Sequence, residues 1–128
     1  MTCLLDTHFL IWVLAKARRL KEFPWLEDYS PWGVSPISLL EMQILSETGR
    51  IKLARDFERS IMADPRFILD EAPSVTLVQR ALHLSWTRDP FDRLIVGHSL
   101  LRRLPLCSVD SNILENHQLI LKDLRERR

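Results

Sequence analysis

Two aspartates directly follow short apolar runs that predict buried strands. Asp6 comes after residues 2–5, and Asp110 comes after residues 106–109. An acid in this position lies at the carboxyl end of its strand. Ligands of open parallel α/β sheets bind beyond that edge. We therefore expect both carboxylates to face one crevice.

Two further acids stand near the beginning of predicted helices that should start from the same edge, Glu41 and Asp92. Four carboxylates that share a crevice repel one another, which raises their pKa values. A hard divalent cation relieves this repulsion, and Mg²⁺ or Mn²⁺ prefers oxygen ligands while keeping bound waters. Such an ion can activate a water and stabilise the charge that develops on a phosphodiester. The four acids thus point to metal-assisted phosphodiester hydrolysis.

Helix capping explains the same acids without any metal. The segment 38–41, Ser-Leu-Leu-Glu, has the form of a capping box in which Glu41 bonds back to a backbone N–H. The segment 89–92, Asp-Pro-Phe-Asp, is a similar box, with Asp89 as the cap and proline in the first turn. Asp6 can cap a helix that begins at His8. Each acid taken singly is open to both interpretations, and only the convergence of all four favours a site.

Short apolar strands alternate with helical patterns along the chain. The predicted strands are residues 2–5, 33–35, 67–69 and 106–109, and residues 118–121 are a last strand or a short helix. The predicted helices cover residues 8–17, a segment from Ser35-Pro36 to a stop at Gly49, and residues 53–62, 74–86 and 89–103. This alternation predicts one α/β domain over residues 1–128, a mostly parallel central sheet flanked by helices.

The spacing of apolar residues also predicts which helix faces are buried. In the helix after Ser35 the predicted buried face is Ile37, Leu40, Ile44 and Leu45, and in the helix from Ser74 it is Val75, Val78, Ala81 and Leu82. The pair Arg18-Arg19 suits the C-terminus of the first helix. Trp12 and Trp86 are expected in the core, and core packing is also the preferred interpretation for Trp25 and Trp32.

Composition and charge narrow the possible functions. Hydrophobic residues make up 46% and charged residues 27% of the 128 residues, which is ordinary for a globular domain and excludes a disordered chain. The net charge is +1. No large overall field therefore draws the protein onto nucleic acid, and any nucleic-acid function must come from a local site.

The cysteines and the first residues bear on the compartment. Cys3 and Cys107 lie in short apolar runs without a CxxC pattern, so we expect buried free thiols in a reducing environment. Residues 1–14 lack the positive charge and the cleavage site of a signal peptide, and Asp6 interrupts the apolar run. No apolar stretch approaches the roughly twenty residues that span a bilayer. We expect a cytoplasmic protein.

The chain lacks the sequence motifs of several other enzyme classes. The sequence contains no GxSxG elbow, no GxGxxG loop and no P-loop, which argues against hydrolase triads, dinucleotide binding and P-loop chemistry. The four histidines show no spacing typical of metal ligands. His8 and His98 lie on apolar helix faces, and we expect them to be core or edge residues.

Five segments together resemble PIN-domain nucleases, and most closely the small VapC-like toxins of toxin–antitoxin pairs. They are Leu4–Trp12, Ser35–Glu41, Gly49–Leu53, Arg88–Ile95 and Leu104–Asp110, and the segment Arg-Asp-Pro-Phe-Asp-Arg-Leu-Ile at 88–95 is the most specific. They occur in the family's order and at its distances over nearly the whole chain.

The resemblance implies a metal-dependent endoribonuclease with a PIN-like three-layer α/β fold. By position, its acidic metal-binding quartet corresponds to Asp6, Glu41, Asp92 and Asp110, with Mg²⁺ (or Mn²⁺) as the cofactor. Thr7 would lie beside the metal and hydrogen-bond a carboxylate or a water, and Asp89 would support the site or cap its helix. The resemblance also implies an RNA substrate, an inhibiting antitoxin and a homodimer.

Basic residues near the matching segments are candidate contacts to the RNA backbone. They are Arg93, Arg88, Arg50 and Lys52, together with Arg127 and Arg128 at the C-terminus. The chain departs from the family at Thr87, where a histidine is common, and in residues 111–114, which lack the usual aromatic residue. These departures leave the acids intact and affect the loop after Asp110, and with it the choice of substrate.

Two other functions fit the same sequence. One is a non-catalytic α/β domain that binds RNA or protein, in which the acids only cap helices. The other is a PIN nuclease of RNA processing that has no antitoxin.

Overall fold

Four short parallel strands form the central sheet of the structure, a computed structural model that describes residues 1–126. The strands are β1 (Leu4–Leu5), β2 (Trp32–Val34), β3 (Phe67–Leu69) and β4 (Leu106–Cys107). Their order in the sheet is β3-β2-β1-β4. Leu4 of β1 pairs with Gly33 on one side and with Leu106 on the other. β1 is therefore an inner strand, and its carboxyl end lies beside that of β4.

Within residues 1–126, seven α-helices and two 3₁₀ helices connect and flank the strands. They are α1 (Thr7–Ala15), α2 (Pro36–Glu47), α3 (Phe57–Ala63), α4 (Ser74–Ala81), α5 (Pro90–Arg102), α6 (Ser111–Asn116) and α7 (Lys122–Glu126), with 3₁₀ helices at Arg18–Glu22 and Leu26–Tyr29. The predicted three-layer α/β fold with a parallel sheet is confirmed. No helix within residues 1–126 has the length and apolar character needed to cross a membrane.

The core lies between the sheet and its helices. Leu4, Leu5 and Trp32 are fully buried, and the Trp32 indole N–H donates to the Leu26 carbonyl at 3.0 Å. Trp25 is half-buried against the same core, so core packing is confirmed for both tryptophans. Trp12 and Trp86 are also half-buried and pack against this core. The two cysteines are buried free thiols, as expected.

The predicted buried faces of α2 and α4 are only partly correct, with Ile37 half-buried against the core and Ala81 buried. Ser38 and Met42 are the buried residues of α2, while Leu40 is 55% exposed and Ile44 is 38% exposed. The helix is rotated because it packs against α1 and α5, and this places the polar Ser38 next to the first turn of α1.

Of the predicted face of α4 only Ala81 is buried, and the other buried residue of this helix is Leu77. Val75, Val78 and Leu82 remain exposed. The helix packs on α5 at Gly97, where an added Cβ would lie 3.3 Å from the Leu77 carbonyl oxygen. Close approach of the two helices at this glycine decides which face of α4 is buried.

Several element boundaries also differ from the predictions. α4 ends at residue 81 and not at 86, α3 begins at 57 and not at 53, and β4 ends at 107 and not at 109. Residues 118–121 contribute one parallel bridge between Leu106 and Ile120. α1 ends before Lys16, whose left-handed conformation breaks the helix, so the Arg18-Arg19 pair lies in a 3₁₀ helix instead of the last turn of α1.

Candidate active site

A buried serine joins the two aspartates at the carboxyl edge of β1 and β4. The backbone N–H of Asp6 donates to the Cys107 carbonyl at 3.0 Å, which fixes the two strand ends side by side. Ser108 Oγ donates to Asp6 Oδ2 at 2.5 Å and accepts from the Asp110 backbone N–H at 3.1 Å. One hydroxyl therefore sets the position of both acids.

Both aspartates also cap helices. Asp6 Oδ1 accepts from the His8 backbone N–H at 3.3 Å at the start of α1. Asp110 Oδ1 accepts from the Ile113 backbone N–H at 3.0 Å at the start of α6. Capping occupies one carboxylate oxygen of each residue, so the capping interpretation is correct for Asp6 and does not remove it from the edge of the sheet.

Glu41 is not a helix cap. The cap of α2 is Ser35, whose Oγ accepts from the Ile37 backbone N–H at 3.2 Å. The proposed capping box at 38–41 is wrong because Ser38 lies inside the helix, where its Oγ is 3.0 Å from Thr7 Oγ1. The carboxylate of Glu41 is half-buried one turn further along and hydrogen-bonds with Thr7.

At α5 the cap is Asp89, as predicted. Its Oδ1 accepts from the backbone N–H groups of Phe91 at 2.8 Å and Asp92 at 3.2 Å. A capping box would require the Asp92 side chain to accept from the Asp89 backbone N–H. That N–H donates to Thr87 Oγ1 at 3.2 Å instead, so the Asp92 carboxylate is not used as a cap.

The pKa values show that the acids lie within electrostatic reach of one another. Burial, followed by the carboxylates of Asp89, Asp6, Asp110 and Glu41 in that order of strength, together raise the pKa of Asp92 to about 7. The structure therefore gathers five carboxylates from four separate segments of the chain.

The same interactions act on the other acids. Burial raises the pKa of Glu41, the charges of Asp6 and Asp89 add to the rise, and the hydrogen bond with Thr7 opposes it. Burial also raises the pKa of Asp6, opposed by the Ser108 hydrogen bond. The uncharged side chains of Ser108 and Thr7 thus hold the carboxylates of Asp6 and Glu41 in place. They do not compensate the negative charges of these carboxylates.

No lysine or arginine of residues 1–126 forms an ion pair with these five acids. In the same part of the chain, no three His, Cys, Asp or Glu side chains are arranged to hold one metal ion directly. The site is therefore an open acidic rim, which we define as Asp6, Glu41, Asp92 and Asp110, with Asp89 beside it.

The candidate RNA contacts lie in different surroundings. Arg93 Nε donates to the Thr87 carbonyl at 2.8 Å and braces the connection between α4 and α5. Arg88 is exposed and its Nη1 donates to the Ser85 carbonyl at 2.7 Å. Arg50 and Lys52 are exposed in the segment between α2 and α3. Arg127 and Arg128 lie outside the described residues.

The two histidines expected to be core or edge residues have different environments. His98 is fully buried, and its Nε2 is 2.7 Å from Asp70 Oδ2, so the expectation is confirmed for this residue. His8 is exposed and is therefore not a core residue. It is the second residue of α1, between the buried Thr7 and Phe9.

Sequence analysis missed the serines of the site. Ser108 lies at the end of an apolar run two residues before Asp110, and Ser38 lies three residues before Glu41. Both are fully buried, and a buried hydroxyl requires a hydrogen-bond partner. A serine at a buried strand end beside an acid is the signal that could have identified the Ser108 contact.

The comparisons with known proteins agree with this geometry. The family model described as "PIN domain" matches residues 3–117. A solved structure described as a toxin–antitoxin complex from Klebsiella pneumoniae superposes with a TM-score of 0.69 at 20% sequence identity, and the match covers 94% of this chain and 96% of the other. A search of curated proteins finds no match.

Proposed function

Because the chain belongs to the PIN domain family, we propose that it is a metal-dependent endoribonuclease that hydrolyses RNA at the acidic rim. The observation that carries the proposal is the convergence of Asp6, Glu41, Asp92 and Asp110 at one edge of the sheet, where neighbouring carboxylates raise the pKa values of Asp6, Glu41 and Asp92. Gathering uncompensated carboxylates destabilises a fold, and a cation offsets that cost.

The donor set of the rim fits a hard divalent cation. All four side chains offer carboxylate oxygens, which Mg²⁺ and Mn²⁺ prefer. Mg²⁺ usually keeps several waters and binds through one or two carboxylates. No three acids of residues 1–126 are placed to hold one ion directly. One or two of Asp6, Asp92 and Asp110 would therefore hold the ion directly, and the remaining acids, Glu41 included, would bind it through its waters.

When bound, the cation supplies an activated water and neutralises charge on the phosphate. The chain itself supplies orientation. Ser108 fixes the Asp6 carboxylate, and Thr7 fixes that of Glu41. The reaction forms a bond from a water oxygen to phosphorus and breaks one phosphorus–oxygen bond. Asp89 supports the site by starting α5 in the register that aims Asp92 at the rim.

Basic side chains would contact the RNA backbone around this rim. Arg50, Lys52 and Arg88 are exposed, while Arg93 is held by the Thr87 carbonyl. With a net charge of +1, binding depends on these few local contacts. RNA affinity should therefore be modest and fall steeply with added salt.

We further propose that the protein is the VapC-like toxin of a toxin–antitoxin pair and acts in the cytoplasm as one PIN-like domain over residues 1–128. The superposition on a structure described as a toxin–antitoxin complex supports this assignment. The exposed apolar residues of α4, Val75, Val78 and Leu82, offer a surface for a homodimer or an antitoxin.

The non-catalytic alternative assigns the acids to capping alone. Capping accounts for Asp6, Asp89 and Asp110, each of which accepts from a first-turn amide. It gives no role to Glu41 or Asp92, which are half-buried at the rim and whose pKa values are raised by burial and by neighbouring carboxylates. This difference favours the nuclease.

Cleavage of a labelled single-stranded RNA tests the proposal. We expect cleavage with Mg²⁺, none with EDTA, and at least a hundredfold lower rate for Asp92→Asn. Asp28→Asn is the matched control, because Asp28 is an exposed aspartate of the 3₁₀ helix at 26–29 and should leave the rate unchanged. Equal cleavage in all preparations would identify a contaminating nuclease and refute the mechanism.

A further inference from the structure

A hollow of about 320 Å³ opens beside the acidic rim. Its lining residues are Asp6, His8, Trp12, Arg19, Val109 and Asp110. We infer that this hollow, which we call the nucleotide pocket, holds one nucleotide of a single-stranded RNA next to the scissile phosphate. Its base stacks on His8, which Trp12 supports from behind, and its phosphate pairs with Arg19. The inference rests on the proposed function. It assigns a binding place to a part of the substrate that the acidic rim itself does not bind.

Two aromatic rings form one wall of the nucleotide pocket. The imidazole of His8 is exposed, and it lies nearly parallel to the Trp12 indole, at 22° with 6.3 Å between ring centroids. Unpaired RNA bases are recognised by stacking on the faces of aromatic side chains, histidine included. An exposed histidine that parallels a tryptophan at the edge of a nuclease site provides such a face.

The tryptophan is held from behind by other rings. Phe9 meets Trp12 edge to face at 5.0 Å, and Phe23 is parallel to it within 6° at 6.1 Å. Phe9 and Phe23 are fully buried, so they fix the position of the indole. A wall that is already rigid loses little side-chain entropy when a base stacks on it.

Arg19 supplies the positive group of the pocket. Its guanidinium carbon lies 4.5 Å from the centroid of the Trp12 ring. The side chain is 48% exposed, and its contact with Glu22 at 3.5 Å is an exposed ion pair of small energy. Stacking on the indole orients the guanidinium, which keeps N–H donors for the two oxygens of a phosphate.

The arrangement of charges gives the pocket a direction. Of its lining residues, Asp6 and Asp110 belong to the acidic rim, while Arg19, His8 and Trp12 do not. A nucleotide seated here would place one phosphate at Arg19 and the next one at the rim. The pocket therefore serves the strand beside the bond that is cut.

Substitution of His8 and Arg19 tests this assignment. In steady-state cleavage of a 12-mer single-stranded RNA with Mg²⁺, His8→Ala and Arg19→Ala should each raise KM about tenfold, as loss of one stacked base does. The kcat should change less than about twofold, since neither residue contacts the reacting atoms. His8→Phe keeps a ring for stacking and should restore most of the affinity.

Exposed residues of the same types provide matched controls. His83→Ala and Arg18→Ala remove a histidine and an arginine that do not line the pocket, and they should leave KM unchanged. A wild-type KM in both His8→Ala and Arg19→Ala would overturn the inference while the nuclease itself remained established. All variants are expected to fold, because both substituted side chains are exposed.

A binding assay separates this inference from the proposed function. Fluorescence anisotropy of the labelled 12-mer is measured with Asp92→Asn protein in Mg²⁺, alone and combined with His8→Ala or Arg19→Ala. If the wild-type protein does not cleave RNA, the proposed function fails. This binding assay alone then decides whether the nucleotide pocket binds RNA. A loss of affinity of about tenfold in both combined variants supports the pocket, and equal affinities refute it.

Discussion

Asp92 carries the strongest electrostatic consequence of the converging acids. Burial and four neighbouring carboxylates raise its pKa to about 7, while an unfolded aspartate titrates near 4. A group whose pKa is higher in the folded protein than in the unfolded chain favours folding, and this contribution is fully present below the pKa of the unfolded chain. That favourable contribution is lost as the pH rises through the folded value. Without metal, stability should therefore fall between about pH 4 and pH 7.

Asp92→Asn should remove this loss. We expect the variant to exceed the wild type in unfolding free energy by about 1 kcal/mol at pH 7.5 in EDTA, after discounting for the partial exposure of the side chain. The two proteins should converge at pH 4. Urea denaturation at both pH values measures the difference, and a less stable variant at pH 7.5 would contradict the electrostatic account.

At single residues, sequence analysis identified the acids better than their partners. Strand ends placed Asp6 and Asp110, and the structure does bring them together through Ser108. The sequence carried no signal for the contact of Thr7 with Ser38, because it depends on how α2 is rotated against α1. The exposure of His8 was not foreseen, since apolar neighbours in a helix do not reveal which of its residues face solvent.

At the scale of elements, helix caps position the rim. Pro36 and Pro90 stand in the first turns of α2 and α5, and Ser35 and Asp89 accept from the amides that follow. Such signals are local in sequence, which explains why the starts of these two helices were predicted correctly. The buried faces of α2 and α4 depend on contacts between distant segments, such as α4 against Gly97, and local spacing did not reveal them.

The cap of α5 can be tested apart from its charge. Asp89→Ala removes the acceptor for two backbone N–H groups and should lower the unfolding free energy by about 1 kcal/mol. Asp89→Asn keeps a capping oxygen and should be at least as stable as the wild type, since it also removes a negative charge near Asp92. Chemical denaturation checks both, and equal stability of the two variants would refute the capping role.

A second polar cluster ties β3 to α5. Asp70 follows β3, and its Oδ2 lies 2.7 Å from both His98 Nε2 and Arg102 Nε. His98 is fully buried, and its Nδ1 has no hydrogen-bond partner within residues 1–126. Burial raises the pKa of Asp70, but hydrogen bonds from Arg102 and His98 outweigh burial and lower it overall. The cluster therefore stabilises the edge strand when Asp70 is charged.

Loss of that charge should cost stability in a pH-dependent way. Asp70→Ala leaves the buried His98 ring without its partner and should lower the unfolding free energy by about 2 kcal/mol at pH 7. A carboxylate whose pKa is lower in the folded protein than in the unfolded chain stabilises the fold above the unfolded pKa, near 4. This stabilisation is lost as the pH falls through the pKa of the folded protein. The difference in unfolding free energy between the wild type and Asp70→Asn should therefore shrink below pH 4. A constant difference from pH 3 to pH 7 would contradict this role.

Over the whole molecule, positive and negative charges nearly balance, but they are unevenly distributed. The net charge is +1, yet five carboxylates gather at one end of the sheet without a lysine or arginine ion pair among the described residues. The fold class followed from the alternation of strands and helices. The convergence of the acids was expected from their positions at strand ends and helix starts, but the strand order β3-β2-β1-β4, which brings residues 6 and 110 together, was not predicted.

Calorimetric titration of the purified protein with Mn²⁺ at pH 7.5 tests the central claim most directly. We expect the wild type and the control Asp28→Asn to bind Mn²⁺ alike, and the double variant Asp6→Asn with Asp92→Asn to give no binding heat. Affinity should weaken toward pH 6, where protons compete for Asp92. No Mn²⁺ binding by the wild type, or equal binding by the double variant, would contradict a cation site at the acidic rim.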